Sequence, residues 1–539
     1  MSPTPSLTGR VWPSALWILA WLALVVTALA TRPLLPVDET RYLGVAWEMW
    51  TSGEYLVPHL NGEPYSHKPP LLFWLINLSW ALFGVGEVAG RLVAPLFALG
   101  SLALTHMLAR RLWPDRPEVA NLAPMVLAGG LFWGVAATLT LFDMVVGFFT
   151  LASLIGVVDA CRPGGWRGWL VAGLALGLGI LAKGPVILVH VLPVALAAPY
   201  WIGASRPSSW PAWYAGLAGA TVLGAALALA WALPAAEAGG EAYAAAILWD
   251  QTAGRVTDSF AHGGPWWFYL AAAPAALLPW ILWPTVWRGF GRGLMAERGG
   301  RFCLAWLILT VAALSAISGK QPHYLIPSLP AAALLFAAAI AGAGERRRFD
   351  ALPVAVPAVV FVVLLGVVAA ARGAGDGVLP GWTMDLAPLV GLPAAAAAAF
   401  AVLFPLGDQF RRTVMMTGAA VLLVIAAHLT AAPYLGRAFD LEPLARRIAE
   451  LQRAVHPVAH ISKYHGQYHF LGRLETPIAA TWEHDVLAWV VAHPGGKVVA
   501  YHDHGIRGGS PEFVQTYRNR QVAIWDAAQV LADPTLVER

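Results

Sequence analysis

The sequence predicts an all-α polytopic membrane protein carrying a small α/β domain at its carboxyl end. Three observations predict it. Of 539 residues, 58% are hydrophobic and only 12% charged, about half the charged share of a soluble globule, and mean hydropathy is +0.62. Apolar runs of spanning length, roughly 17 to 25 residues, recur up to residue 433. Beyond Tyr434 the runs stop and charged residues become frequent.

Thirteen runs can be read, at 11–30, 88–109, 119–137, 143–160, 167–182, 185–201, 211–233, 265–286, 302–318, 324–343, 351–371, 386–406 and 413–433. The first ends in Ala28-Leu29-Ala30, which looks like a signal-peptidase site. Its length, and the charges that follow it closely, favour a retained anchor. With the amino terminus inside, most arginines of the membrane half, among them Arg110, Arg111, Arg346, Arg347 and Arg348, fall in inner loops. That is the bias of the positive-inside rule, and it leaves the carboxyl-terminal segment outside. The pI near 9.1 records this arginine lining, which meets anionic lipid headgroups; nucleic acid is not implied. Two cysteines, Cys161 and Cys303, give no disulfide framework for an exported part.

The chain therefore divides into a transmembrane domain, 1–433, with a first outer loop at 31–87, and a soluble domain, 434–539. In the latter, Leu441 to Val455 has helical apolar spacing, while Lys497–Tyr501 and Gln521–Trp525 read as strands. The Gly173-x3-Gly177-x-Gly179 run and Ala394–Ala399 suit close helix packing.

Chemistry is expected in the first outer loop. Asp38-Glu39-Thr40-Arg41-Tyr42 and Tyr65-Ser66-His67-Lys68-Pro69-Pro70 gather both signs of charge at a bilayer edge, where ionisable groups must pair or bind a ligand. Only five lysines occur, and Lys68, Lys183 and Lys320 all fall at predicted outer helix ends beside a proline. Three cations on one face suggest an anion site, although a lysine at a helix end often only snorkels. Asp143, between Phe142 and Met144, is a second acid that is costly unless it faces a cavity or caps its helix. Arg255 could clamp a phosphate through its planar fork. Eight histidines follow residue 440, with His456-x3-His460 and His502-Asp503-His504 spaced as metal ligands can be; a solvated surface is the commoner outcome.

Asp38-Glu-Thr-Arg41-Tyr42, Tyr65-x-x-Lys68-Pro-Pro, Phe142-Asp143-Met144, His262-Gly-Gly-Pro-Trp and Lys320-x-Pro-x-Tyr324 resemble, in order, the bacterial GT-C glycosyltransferases related to protein O-mannosyltransferases, the lipid A aminoarabinose transferases among them. The resemblance implies the GT-C fold. It also implies sugar transfer at the periplasmic face of the inner membrane from a polyprenyl (undecaprenyl) phosphate-linked donor to lipid A or another envelope acceptor, with inversion. It makes Asp38 the prime catalytic carboxylate, with Lys68 and Asp143 beside it. Glu39, Arg41, Tyr65, Arg255, Lys320 and Tyr324 then surround the substrate. The family pattern has a glutamate beside the key lysine and a later histidine that together bind metal; here His67 and Asp250 exchange those types, keeping one imidazole and one carboxylate for a divalent ion such as Zn or Mg/Mn. Transfer of another sugar to lipopolysaccharide core or to protein fits the same motifs. A lipid or sugar transporter is the rival of another class, but it predicts charges at mid-membrane.

Overall fold

The computed structural model describes residues 12–162, 164–203, 207, 209–249, 263–344, 350–373, 381–404 and 407–538. Asp250, Arg255 and His262 lie outside them. The bundle begins with α1 (Trp12–Thr31), α2 (Asp38–Ser52), a two-stranded ribbon of β1 (His59–Leu60) and β2 (Glu63–Pro64), α3 (Leu71–Phe83) and α4 (Glu87–Leu112). It continues through α5 (Pro117–Ala128), α6 (Leu131–Ala136), α7 (Phe142–Asp159), α8 (Trp166–Lys183), α9 (Val186–Leu196), α10 (Ala198–Trp201) and α11 (Trp210–Ala245). Then come α12 (Phe268–Ala276), α13 (Pro284–Gly289), α14 (Arg292–Ala296), α15 (Arg298–Ala316), α16 (Leu329–Gly342), α17 (Leu352–Gly373), α18 (Pro388–Leu403) and α19 (Gln409–Phe439). Among the described residues, 7 helices are long and apolar enough to cross a membrane, and shorter apolar helices such as Leu71–Phe83 and Val186–Leu196 accompany them. This is a multi-pass membrane protein.

Several apolar runs are not single helices. The stretch expected to span 265–286 is α12, a 3-10 turn at Trp280–Leu282 and α13, because Pro279 and Pro284 lack the amide a continuous helix needs. The run 119–137 breaks at Gly129–Gly130 between α5 and α6. The two breaks meet: Leu131 N donates to Leu278 O at 2.9 Å, and a Cβ on Gly129 would lie 2.7 Å from the Trp280 ring. The first outer loop is likewise helical for much of its length. In α2, residues Tyr42, Leu43, Val45, Ala46 and Met49 are buried, so an amphipathic helix lies where a charged loop was expected.

Small residues set the closest helix contacts. A Cβ on Gly156 of α7 would stand 2.5 Å from Gly168 O of α8, and one on Gly173 of α8 would stand 2.8 Å from Ala220 O of α11. The glycine run of α8 is thus a packing surface, and Ala395 and Ala398 of α18 are fully buried in the same manner. Ion pairs bind helices at the end of the bundle away from Asp38: Arg111 with Asp159 at 2.9 Å, Arg116 with Glu297 at 3.0 Å and Arg288 with Asp350 at 2.6 Å.

The carboxyl-terminal part contains α20 (Glu442–Arg453), β3 (Val458–Ile461), α21 (His469–Gly472), β4 (Ala479–Thr481), α22 (Val486–Ala492), β5 (Lys497–His502), β6 (Phe513–Tyr517), β7 (Arg520–Asp526) and α23 (Ala527–Ala532). Its sheet has the order β4-β3-β5-β7-β6, with β3 parallel to both β4 and β5 and β7 antiparallel to β5 and β6. Successive strand residues face opposite sides: Val499 packs with Leu444 and Ile448 of α20, and Val498 with Val486 and Val490 of α22. Strands β3, β4 and β6 gave no sequence signal, being short and buried or irregularly patterned. His460 packs against Tyr464 and Tyr468, and His502 receives the Trp525 indole N–H at 3.2 Å. No group of three or more possible metal ligands occurs among the described residues.

Replacing Gly156 with Leu should force α7 and α8 apart, because the obstacle is backbone. A loss of about 2 kcal/mol or more, seen as a lower thermal midpoint of the detergent-purified protein, is expected; an unchanged midpoint would refute the packing account.

Candidate active site

The site is assembled on a buried charge network. Arg32, just after α1, pairs with Glu39 of α2, and both side chains are 3% exposed or less. Arg32 Nη2 also donates to Thr138 O at 2.8 Å. Glu39 accepts from Leu35 N at 3.1 Å and from Thr140 N at 2.8 Å. Arg91 of α4 adds a bond to Arg32 O at 3.0 Å and an ion pair with Glu87 at 2.6 Å. Burial alone would raise the Glu39 carboxyl, but the Arg32 guanidinium overrides it and holds the group below its ordinary 4.5. With its oxygens engaged inside the protein, Glu39 does not face a ligand as the sequence suggested. It is a positioning residue, because Thr138 and Thr140 lead directly into Asp143.

The neighbouring Asp38 points the other way and is exposed. Adjacent residues of a helix differ in direction by about 100°, so one acid locks the helix while its neighbour is exposed. Asp38 pairs with Arg41 and accepts from the Tyr42 hydroxyl at 3.3 Å. Tyr42 stands edge-on to Phe142, ring centres 4.8 Å apart, and Lys68 Nζ lies 5.9 Å from the Phe142 ring centre. Tyr65 is buried against Phe73 and His67, at 6.0 and 5.2 Å between ring centres, and its hydroxyl lies within electrostatic reach of Arg41. Asp38, Arg41, Tyr65 and Lys68 therefore converge.

Asp143 is inside the first turn of α7, whose N-cap is Leu141 with no side-chain bond, so it does not cap the helix. Its two oxygens both accept from Lys183 Nζ at 2.6 Å. Lys183 is 7% exposed and does not snorkel; it also sits 4.5 Å from the centre of the Tyr324 ring. His323 Nε2 comes to 3.9 Å from Asp143. Lys183, one of the three lysines read from sequence as an anion site, instead pairs with Asp143, and His323, to which the sequence gave no role, joins them; its signal was the Lys-Gln-Pro-His break. Lys320 differs from its expected role: 5% exposed, its ammonium donates to the carbonyls of Leu314 at 3.1 Å, Ser315 at 2.8 Å and Ile317, closing the end of α15. His67 is exposed beside Tyr65. No three-ligand set forms around it among the described residues.

The carboxyl-terminal domain clasps α2. Trp47 Nε1 donates to Leu474 O at 2.8 Å. Asn61 exchanges two bonds with Ile478, of 2.9 and 2.8 Å. Glu48 accepts from Gly62 N at 3.0 Å and from Asn61 N, and lies 3.4 Å from His469 Nε2. Burial pushes the His469 imidazole down to about 4 and the Glu48 carboxyl up.

Comparison with known proteins fits this architecture. A family model described as dolichyl-phosphate-mannose-protein mannosyltransferase matches residues 67–233. The crystal structure of ArnT from Cupriavidus metallidurans bound to undecaprenyl phosphate superposes with a TM-score of 0.74, covering 95% of this chain and 97% of that one at 20% identity. Its apo form gives 0.72 at 18% identity. The chain has the ArnT fold. Undecaprenyl phosphate-alpha-4-amino-4-deoxy-L-arabinose arabinosyl transferase 1 of Pseudomonas fluorescens is 31% identical over 331 residues, 60% of this chain and 59% of that protein. The corresponding transferase of Pseudomonas aeruginosa is 33% identical over 333 residues, 60% of this chain and 59% of that protein. The matched stretch thus spans about three fifths of the length of these ArnT-type relatives.

Glu39→Gln should leave Arg32 buried with its charge unmatched and cost about 3 to 5 kcal/mol, read by thermal unfolding in detergent. A depressed imidazole gives stability that is complete above its unfolded value of 6.5 and is lost as pH falls toward the folded value of about 4. Lowering the pH from 7 to 5 should therefore cost about 2 kcal/mol through His469, and His469→Gln should flatten that dependence; an equally steep variant would refute the assignment.

Proposed function

We propose that this protein transfers a sugar from an undecaprenyl phosphate-linked donor to an envelope acceptor, 4-amino-4-deoxy-L-arabinose to lipid A in the first instance, at the periplasmic side of the bacterial inner membrane. The convergence of Asp38, Arg41, Tyr65 and Lys68 beside the Asp143–Lys183 pair carries the reading. The names and fold of the relatives support it, as does the gathering of these acids and bases where α2, the entry of α7 and the end of α8 meet.

Transfer breaks the bond between the sugar's anomeric carbon and the donor phosphate oxygen, which keeps the electron pair. The developing phosphate charge is met by Lys68 and Arg41, with Arg255 and Tyr324 as further partners; a fixed donor in a water-poor site contributes roughly 3 to 4 kcal/mol. A lipid A phosphate attacks as an oxyanion that is already ionised, so no base has to remove a proton. Asp38, held by Arg41 and Tyr42, stabilises positive charge on the anomeric carbon and orients the attacker. A single displacement inverts that carbon. The Lys183–Asp143 pair keeps a fixed charge beneath the site and steadies Tyr324. A divalent ion, were it part of the same reaction, would be held by His67 and Asp250 and would supply an orienting positive charge.

Asp38→Asn should lower kcat at least 100-fold, on the scale of losing a transition-state contact, while donor affinity stays within a few-fold. Mass spectrometry of lipid A from cells carrying wild type or variant provides the readout, and undiminished modification by the variant would overturn the reading.

A further inference from the structure

The carboxyl-terminal sheet has a topological switch point. Strand β3 is parallel to β4 on one side and β5 on the other, so the chain passes from β3 outward to β4 and then crosses back past β3 to β5, reversing direction across the sheet. In open α/β sheets ligands bind at that place. The loop leaving β3 is Ser462-Lys463-Tyr464-His465-Gly466-Gln467, with positive φ at Ser462 (87°) and Gly466 (72°) turning it sharply.

This loop lies along α2 in a readable register. Arg41, Gly44 and Glu48 share one face of α2, since residues three, four and seven apart are neighbours on a helix. Gly466 O sits where a Cβ on Gly44 would come within 3.1 Å, and His469 faces Glu48 at 3.4 Å. Running backward along both segments brings His465 to the level of Arg41 and Asp38. Its electrostatic surroundings agree: burial, then Arg41 and Lys463, lower the imidazole, and Asp38 opposes them. Asp38 therefore has two sides. The bundle side presents Lys68 and His323; the other side presents Arg41 of α2 and His465 of the loop, with Lys463 two residues before His465 and near enough to act on it. Lys463 is exposed.

A transferase needs two substrates, one on each side of its carboxylate. We propose that the loop after β3 is the acceptor wall of the site, with Lys463 and His465 binding a phosphate of the lipid acceptor. The inference rests on the transfer reading and adds which residues of the domain select the second substrate. A lysine ammonium recognises phosphate as a point charge, and a half-buried imidazole beside it adds a directed N–H.

The test is Lys463→Ala and His465→Gln in the full-length protein, with His484→Ala, at an exposed position elsewhere in the domain, as control. Both variants should raise KM for bisphosphorylated lipid A about tenfold, the size of one ionic hydrogen bond. KM for undecaprenyl-phosphate aminoarabinose should stay within twofold, and Lys463→Arg should recover acceptor affinity. Binding of lipid A to nanodisc-embedded protein is measured in parallel in an Asp38→Asn background. A loss of binding there without any wild-type transfer would leave the acceptor wall standing and sink the reaction. A rise in donor KM alone would assign the phosphate to the donor and overturn the proposal. No change in either affinity would overturn it as well.

Discussion

The buried pair of Arg32 and Glu39 is the constraint on which the site's geometry depends. Two charges out of water are tolerated because they pair with each other and bond to surrounding backbone: Thr138 O and Thr140 N belong to the approach to α7 and Leu35 N to the entry of α2, while Arg91 of α4 bonds the Arg32 carbonyl. Three segments far apart in sequence are thereby fixed to one point. Asp38 and Asp143 hang from the two segments so joined, and their separation is set by it. Such a pair adds little net stability over an apolar substitute, but it is costly to break, which suits a device for holding geometry.

From that point the molecule builds outward in two directions. Toward the bundle, Lys183 neutralises Asp143 and supports Tyr324, so that side of the site is a buried, closed ion pair. Toward the domain, Glu48, Asn61 and Trp47 hold the carboxyl-terminal sheet against α2. The helix bearing Asp38 is thus shared between a membrane bundle and a soluble domain. That arrangement places the residues around Asp38 where both parts of the chain meet α2.

Much of this was legible in the sequence. Membrane class followed from the shortage of charge, and the loop containing Asp38 and Lys68 stood out because mixed charges at a bilayer edge need a reason. Helix α20 and strands β5 and β7 followed from apolar spacing. Less legible were the broken helices around Gly129 and Pro279, whose apolar composition is that of a continuous span. The role of Lys320 was equally hidden: a lysine before a proline at a helix end has the same local pattern whether it meets a ligand or the carbonyls of the preceding helix.

Composition and motif order by themselves determined that this chain is a membrane bundle with a charged site near its first helix, because hydrophobic length and scarcity of charge are properties of local sequence. Only the tertiary structure decided which acid of the Asp38-Glu39 pair is buried in an ion pair, that Lys183 belongs to Asp143, and that the loop after β3 packs against α2. Those facts join residues tens to hundreds of positions apart, and their contacts are set by helix phase and strand register, which the local pattern of side chains does not encode.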